Sequence, residues 1–394
     1  MENLELLRSI TRNLLTYIEN DTTFMSGSPM VNQADIYTAE ALLGQEKAKL
    51  FDTLPQLVCF SRDLPNKGSF LAVEHMSKPV LLVRDKQGLA RAFLNICPHR
   101  NSKLKQGSGQ CHFLVCPYHA WSFELDGKLN RIYAAETVGD LDKQDYQLTS
   151  LPCEEVAGMV FISLSPGQPI SVASHLEDML DALARWELDK LTKVSSRMME
   201  IKCNWKLAVE TFGEGYHFEP LHRKTVGDYA IGNCSHFDRF GPDGEHHRLA
   251  FPNKWIKQLA GKSEEEWGTE EDLFANFQLV HFIFPNVILL ISPREVEFFQ
   301  IYPGSSASSH TTVYTSYVRK SDMLKTDEQQ QAALDHFRFI VKVVTEEDYD
   351  VVSSIQRSHE ATGGERAFTC GRNEPALINF HRQLEHKLSG CKPV

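Results

Sequence analysis

Cys97-Pro98-His99-Arg100 and Cys116-Pro117-Tyr118-His119 each pair a thiol with an imidazole, in the same order. Soft thiolate and borderline imidazole donors suit zinc or an iron–sulfur cluster. The mixed pairs favour the cluster. A 2Fe–2S cluster with two cysteines on one iron and two histidines on the other needs one such pair from each of two facing loops. Exchanging two thiolates for neutral imidazoles raises its reduction potential. A structural zinc site is the bland alternative, but zinc pairs more often use wider spacing. Cys111-His112, between the two pairs, is set aside because adjacent strand residues point to opposite faces.

A second constellation starts at Trp205. The spacing predicts a helix that puts Glu210, Glu214 and His217 on one side. His222 lies past Pro220, where a helix bends or ends, so His217 and His222 can converge on one metal. Two histidines alone are a weak signal, and core or surface histidines are the alternative. A carboxylate would complete a facial triad with positions left open for oxygen and substrate. Asp348, Glu347 and Asp350 are the candidates, in a helical stretch that ends near Gln356. An inward Asp348 among Val344, Val351, Val352 and Ile355 is costly without a cation. Glu347 and Asp350 better fit a solvated face, but spacing alone does not make the choice.

Three segments position these residues. Residues 1–45 read as a helical N-terminal segment and 46–165 as a small all-β domain, with short apolar runs such as FLAVEHM, PVLLVRD and MVFISL between turn residues. Residues 166–394 alternate helices with strands. SHLEDMLDALARWELDKL reads as one amphipathic helix, and DEQQQAALDHFRFIVKVVTEEDYDVVSSIQR as one long helix. Candidate strands there are VSSRMMEIKC, FQLVHFIFP, NVILLIS, REVEFFQIYP and HTTVYTSYV. The fold class is α+β, with an antiparallel sheet flanked by helices carrying the second metal.

The 394 residues carry a formal net charge of −11, which argues against nucleic acid or an anionic membrane as a partner. No apolar run is long enough to span a bilayer. The N-terminus lacks the order of a signal peptide, so a cytoplasmic location is expected. Cys59, Cys153, Cys203, Cys234, Cys370 and Cys391 are scattered and read as ordinary thiols. The acidic loop near Gly261–Glu271 reads as a solvated face.

The two Cys/His segments, with Asn95-Ile96 before the first, Ala120-Trp121 after the second, and Gly127 beyond, resemble the ligand loops of the Rieske non-haem iron oxygenases. The resemblance covers most of the chain. It includes Tyr37-Thr38-Ala39-Glu40, Gly68-Ser69-Phe70, Phe284-Pro285-Asn286-Val287 and Ile301-Tyr302-Pro303. It implies a Rieske 2Fe–2S cluster on Cys97, His99, Cys116 and His119, and a mononuclear Fe(II) on His217, His222 and Asp348. It also implies that Glu214 couples the two metals across a subunit boundary, in a head-to-tail homotrimer. Asp is commoner there, while Glu occurs in a subset that includes carnitine and betaine-type oxygenases. Thr211 departs from the Asn many members carry, and Glu210 is expected to orient His217 or His222 through a ring N–H.

The implied activity is that of a terminal oxygenase component. It would use O2 to hydroxylate or demethylate a small organic substrate, as a monooxygenase or N-demethylase of a quaternary ammonium compound or as a ring dioxygenase. No Gly-rich nucleotide fingerprint follows a strand, so NAD(P)H must act through a separate reductase, with or without a ferredoxin. The rival reading is an electron carrier without catalysis. Phe282, Phe284, Phe298, Phe299, Tyr302 and Tyr314 are candidates for either pocket walls or sheet packing.

Overall fold

The computed structural model describes residues 2–76 and 78–390. Cys391 therefore lies outside the described residues. The fold is mixed, with antiparallel sheets, and the chain divides into two compact units. One comprises Ala48–His175 and Trp186–Lys190. The other takes in the N-terminal segment to Lys47, Leu176–Arg185, and the chain from Leu191 onward. No helix among the described residues is long and apolar enough to cross a membrane.

The first unit is built from short strands. A five-stranded sheet runs in the order Ser150–Leu151, Ala90–Leu94, Lys78–Arg84, Ser69–His75, Ser108–Gln110. Two three-stranded sheets accompany it, one formed by Leu114–Val115, Ser122–Phe123 and Leu129–Arg131. A buried apolar cluster of Leu81, Phe93, Leu114, Trp121 and Phe123 also takes in Cys97 and Cys116. Gly127 sits at φ +91°, and a Cβ there would lie 2.5 Å from the Phe93 ring. A side chain at 127 would strain the turn and push this core apart.

The second unit centres on a seven-stranded antiparallel sheet. Its order is Thr192–Ile201, His310–Val318, Glu295–Pro303, Val287–Ile291, Phe277–Ile283, His246–Pro252, His236–Phe240. Five of these strands match the candidate strands of the sequence. His236–Phe240 and His246–Pro252 were not expected, because His, Asp and Arg interrupt their pattern. Arg248 pairs Asp238 across them at 2.6 Å, which allows the polar strand to be buried.

Helices depart from expectation at four points. The helix over 174–191 breaks at Glu177, whose φ is +45°, leaving Val172–Leu176 and Asp178–Ala184. The long helix is Asp327–Val343 followed by Tyr349–Ala361, joined by a π-helical turn at Val344–Asp348. The helix from Trp205 stops at Glu210. The chain then turns through Gly213, where a Cβ would meet Leu377 at 2.5 Å. A C-terminal helix, Pro375–Ser389, was also not foreseen.

Candidate metal centres and substrate cavity

The first centre lies on two loops with the same internal bonding. Asn101 N–H donates to the Cys97 carbonyl at 2.9 Å, and Ala120 N–H to that of Cys116 at 3.0 Å. Asn101 and Ala120 both have positive φ, at 57° and 55°. Similar turns thus each present one thiol and one imidazole. The His99 and His119 rings lie 4.7 Å apart, and His99 stacks on Trp121 at 4.4 Å. The Nδ1 atoms of both histidines are buried and have no hydrogen-bond partner. Buried polar atoms without partners are costly, so two of them beside two thiols call for a metal group. Burial pushes the Cys97 thiol up to about 11, against the pull of the His99 and Arg100 N–H groups. The donor set fits a 2Fe–2S cluster, whose cationic irons would hold the thiols ionised.

The second centre forms where the helix beginning at Trp205 has ended. Asn204 caps that helix by accepting from Lys206 N–H. Past Gly213, His217 and His222 flank the short helix Phe218–Leu221. Their Nε2 atoms lie 3.4 and 3.1 Å from Asp348 Oδ1, and donor atoms of the three residues fall within 4.8 Å of one another. His217 Nδ1 bonds Glu214, and His222 Nδ1 bonds Glu347. Both rings are thereby turned so that Nε2 faces Asp348. Burial lowers the basicity of His217, but bonds to Asp348 and Glu214 outweigh it and raise it to about 9. Asp348 is held low by the two imidazoles despite its burial. Two Nε2 atoms and one carboxylate oxygen suit a divalent iron with open positions.

The π-helical turn decides which acid arrives. His336, Ile340, Val343 and Val344 line the cavity described below. A regular helix would bring 347 next to that face, whereas one extra residue in the turn brings Asp348. Glu347 is not the solvated acid its position suggested, since it holds His222 and Thr225 Oγ1. Asp350 is exposed, and so are Val351 and Ile355. Glu210 does not orient either histidine. It accepts from Tyr37 Oη at 2.9 Å and lies 3.2 Å from His381 Nε2. Thr211 turns its hydroxyl to the Ala208 carbonyl.

A cavity of about 440 Å³ adjoins His217, His222 and Asp348. Its floor is one face of the large sheet, with Val280, Leu290, Glu297 and Phe299 in it. Phe212, Phe218, Phe251, Phe274 and Phe277 supply walls. Of the six aromatic residues suspected from the sequence, Phe299 lines this cavity, while Phe282, Phe284, Phe298, Tyr302 and Tyr314 are buried outside its lining. Glu297, Glu295, Glu271, Arg294 and His336 add charge. Sequence reasoning missed all five. Glu297 left one trace, an acid between Val296 and Phe298 in a strand that is mostly apolar. The acidic loop is likewise more than a solvated face, since Glu264 pairs Arg12 at 2.6 Å and Glu271 reaches the cavity.

Residues 188–390 match the family described as ring hydroxylating alpha subunit (catalytic domain), and residues 55–147 match the Rieske [2Fe-2S] domain. The chain belongs to the Rieske ring-hydroxylating oxygenase alpha subunits. This oxygenase is similar to the carnitine monooxygenase oxygenase subunit of Escherichia coli (strain K12), at 29% identity over 89% of this chain and 92% of that one. It is 33% identical to the glycine betaine monooxygenase oxygenase subunit of Chromohalobacter salexigens, over 47% of this chain and 42% of that one. Among solved structures it resembles a quaternary ammonium Rieske monooxygenase in complex with L-carnitine. The TM-score is 0.75 and the identity 20%, over 96% of this chain and 98% of that one. Naphthalene 1,2-dioxygenase with indole bound shares the fold at TM-score 0.70, 17% identity, and 93% of each chain. The oxygenase therefore uses a Rieske 2Fe–2S cluster and a mononuclear iron, the groups for which the two donor sets are suited.

Proposed function

We propose that this oxygenase oxidises a carbon attached to the nitrogen of a small trimethylammonium compound. Cys97, His99, Cys116 and His119 would hold the cluster, and His217, His222 and Asp348 the iron. When bound, these groups would supply two electrons to O2, which with two protons and the two electrons of the C–H bond gives a hydroxylated carbon and water. Electrons come from NAD(P)H through a separate reductase, directly or by way of a ferredoxin, and a cytoplasmic setting supplies both. Glu214 and Glu347 hold the two imidazoles in place by their Nδ1 atoms. Glu214 also serves as the link to the cluster of a neighbouring copy in a head-to-tail trimer, an arrangement that closes on itself.

The cavity carries this reading. Its walls are rich in aromatic rings, a residue type that attracts quaternary cations, and three carboxylates besides Asp348 outnumber Arg294 and His336 in the lining. The relatives named for carnitine and glycine betaine support the same substrate class. Ring dioxygenation is the second reading, favoured by the same rings, although an apolar ring gains nothing from the acids.

The test is a substrate panel with a surrogate reductase, following substrate-dependent oxygen uptake. Release of formaldehyde, or of free trimethylamine, from a trimethylammonium substrate supports the proposal. Diol formation on an aromatic ring without either product overturns it.

A further inference from the structure

We propose that Glu297 is the residue that selects a quaternary cation over a neutral molecule in this cavity, and that His336 attenuates it. This rests on the substrate class proposed above. Glu297 lies in the strand Glu295–Pro303, opposite Leu290 on one side and Ser316 on the other. Its side chain is 3% exposed, yet it lines the cavity. Burying a carboxylate in an apolar cavity is costly unless it is bonded. Here the Tyr314 hydroxyl donates to Oε2, while Ser316 Oγ at 3.3 Å and His336 Nε2 at 3.2 Å reach Oε1.

Three donors on a group with about four acceptor positions leave little for a ligand to bond. A primary or secondary ammonium ion needs acceptors for its N–H groups and gains little here. A trimethylammonium group has no N–H to satisfy, and requires only negative charge and apolar surface. Both are present, because Phe299 lies two residues along the same face of the strand. The ring of Phe299 is itself fixed by stacking on Tyr314 at 4.5 Å.

The other charges of the lining weigh less. Glu271 is 76% exposed and 3.9 Å from Lys320, so water screens it. Glu295 is partly buried, and its Oε2 is bonded by Ser292 Oγ at 3.3 Å. Asp348 faces the two histidines. Arg294 suits an anionic tail and has no role with a ligand lacking one. His336 is 38% exposed and stands on the helix Asp327–Val343. Protonated, it cancels much of the Glu297 charge that the cavity would otherwise present.

The experiment compares binding of choline with that of 3,3-dimethylbutan-1-ol, in which carbon replaces the charged nitrogen. Calorimetry on the holoenzyme without reductase reads binding alone. Wild type is expected to bind choline at least about ten-fold tighter than the isostere. Glu297→Gln should bring the two dissociation constants together while leaving that of the isostere nearly unchanged. His336→Gln keeps a donor and should tighten choline binding about three-fold, an effect that misfolding cannot produce. A preference that survives in Glu297→Gln overturns the assignment and leaves the substrate class standing. Wild type without a preference overturns both. Where Glu297→Gln fails to fold, His336→Gln decides: a gain supports the proposal, and no change or a loss overturns it.

Discussion

Glu347 Oε2 bonds Nδ1 of His222, while Oδ1 of the next residue, Asp348, lies 3.1 Å from Nε2 of the same ring. Consecutive acids thus grip opposite edges of one imidazole. That geometry depends on the π-helical turn Val344–Asp348. Partners on the far nitrogen fix a ligand's orientation, and their loss commonly costs about 10–100-fold in metal affinity. Glu347→Ala is therefore expected to weaken iron binding by about ten-fold or more. Glu347→Gln, which keeps an acceptor, should recover much of it. Iron titration of the metal-depleted protein checks both, and equal affinity in Ala and wild type would remove Glu347 from this role.

Lys206 and Glu46 form an ion pair with both side chains at most 2% exposed, and Trp205 Nε1 donates to the same carboxylate at 2.8 Å. The pair anchors the helix Trp205–Glu210 that leads into the histidine-bearing turn. Removing one partner of such a pair leaves an uncompensated buried charge and costs about 3–5 kcal/mol. Lys206→Met should lower the urea midpoint accordingly. It should also reduce iron retention on His217 and His222 before it affects the visible spectrum of the cluster.

His247 and His310 predict loss of stability in mild acid. Burial, aided by neighbouring His246, holds His247 down to about 3. Burial holds His310 down to about 4, against the bond to the Cys203 carbonyl. In the unfolded chain both titrate near 6.5. Below that pH the unfolded state binds protons that the folded state refuses, so stability rises with pH in this range. The contribution is complete above about 6.5 and is lost as pH falls toward 4 for His310 and 3 for His247. His247→Phe, which can keep the stacking on Phe282, should shrink the difference between urea midpoints at pH 7.5 and pH 5.

The two Cys/His pairs were legible because each is a local loop whose chemistry lies within a few residues. Four strands of the large sheet were legible from their apolar runs, and others were lost where His, Asp and Arg break the pattern, as in His236–Phe240. The turn at 211–217 was misread as helix although Gly213 and Gly215 both interrupt it. The bonds of Glu347 to His222, Glu297 to His336 and Glu210 to Tyr37 join residues 125, 39 and 173 positions apart. No spacing rule reaches that far. Asp348 was chosen over Glu347 by resemblance, since the turn that rotates it inward leaves no periodic trace.

Glu214 accepts the backbone N–H groups of Tyr216 and His217 at Oε2 and the ring of His217 at Oε1. Its side chain is 13% exposed, so the carboxylate is locked rather than mobile. The proposed route across the subunit boundary needs this carboxylate to hold His217 while its remaining acceptor capacity meets a cluster histidine of the next copy. Glu214→Gln keeps the shape and one acceptor but loses the charge. Iron and sulfide contents should stay near those of wild type, because the amide oxygen still accepts from the His217 ring and the cluster loops are untouched. Product formation should fall by more than about ten-fold. In a single turnover with the cluster reduced in advance, the variant should keep the reduced visible spectrum after substrate and O2 are added, where wild type oxidises. Glu214→Asp should restore part of the transfer. If Glu214 served only to position His217, activity would fall in step with iron content and the cluster would reoxidise normally.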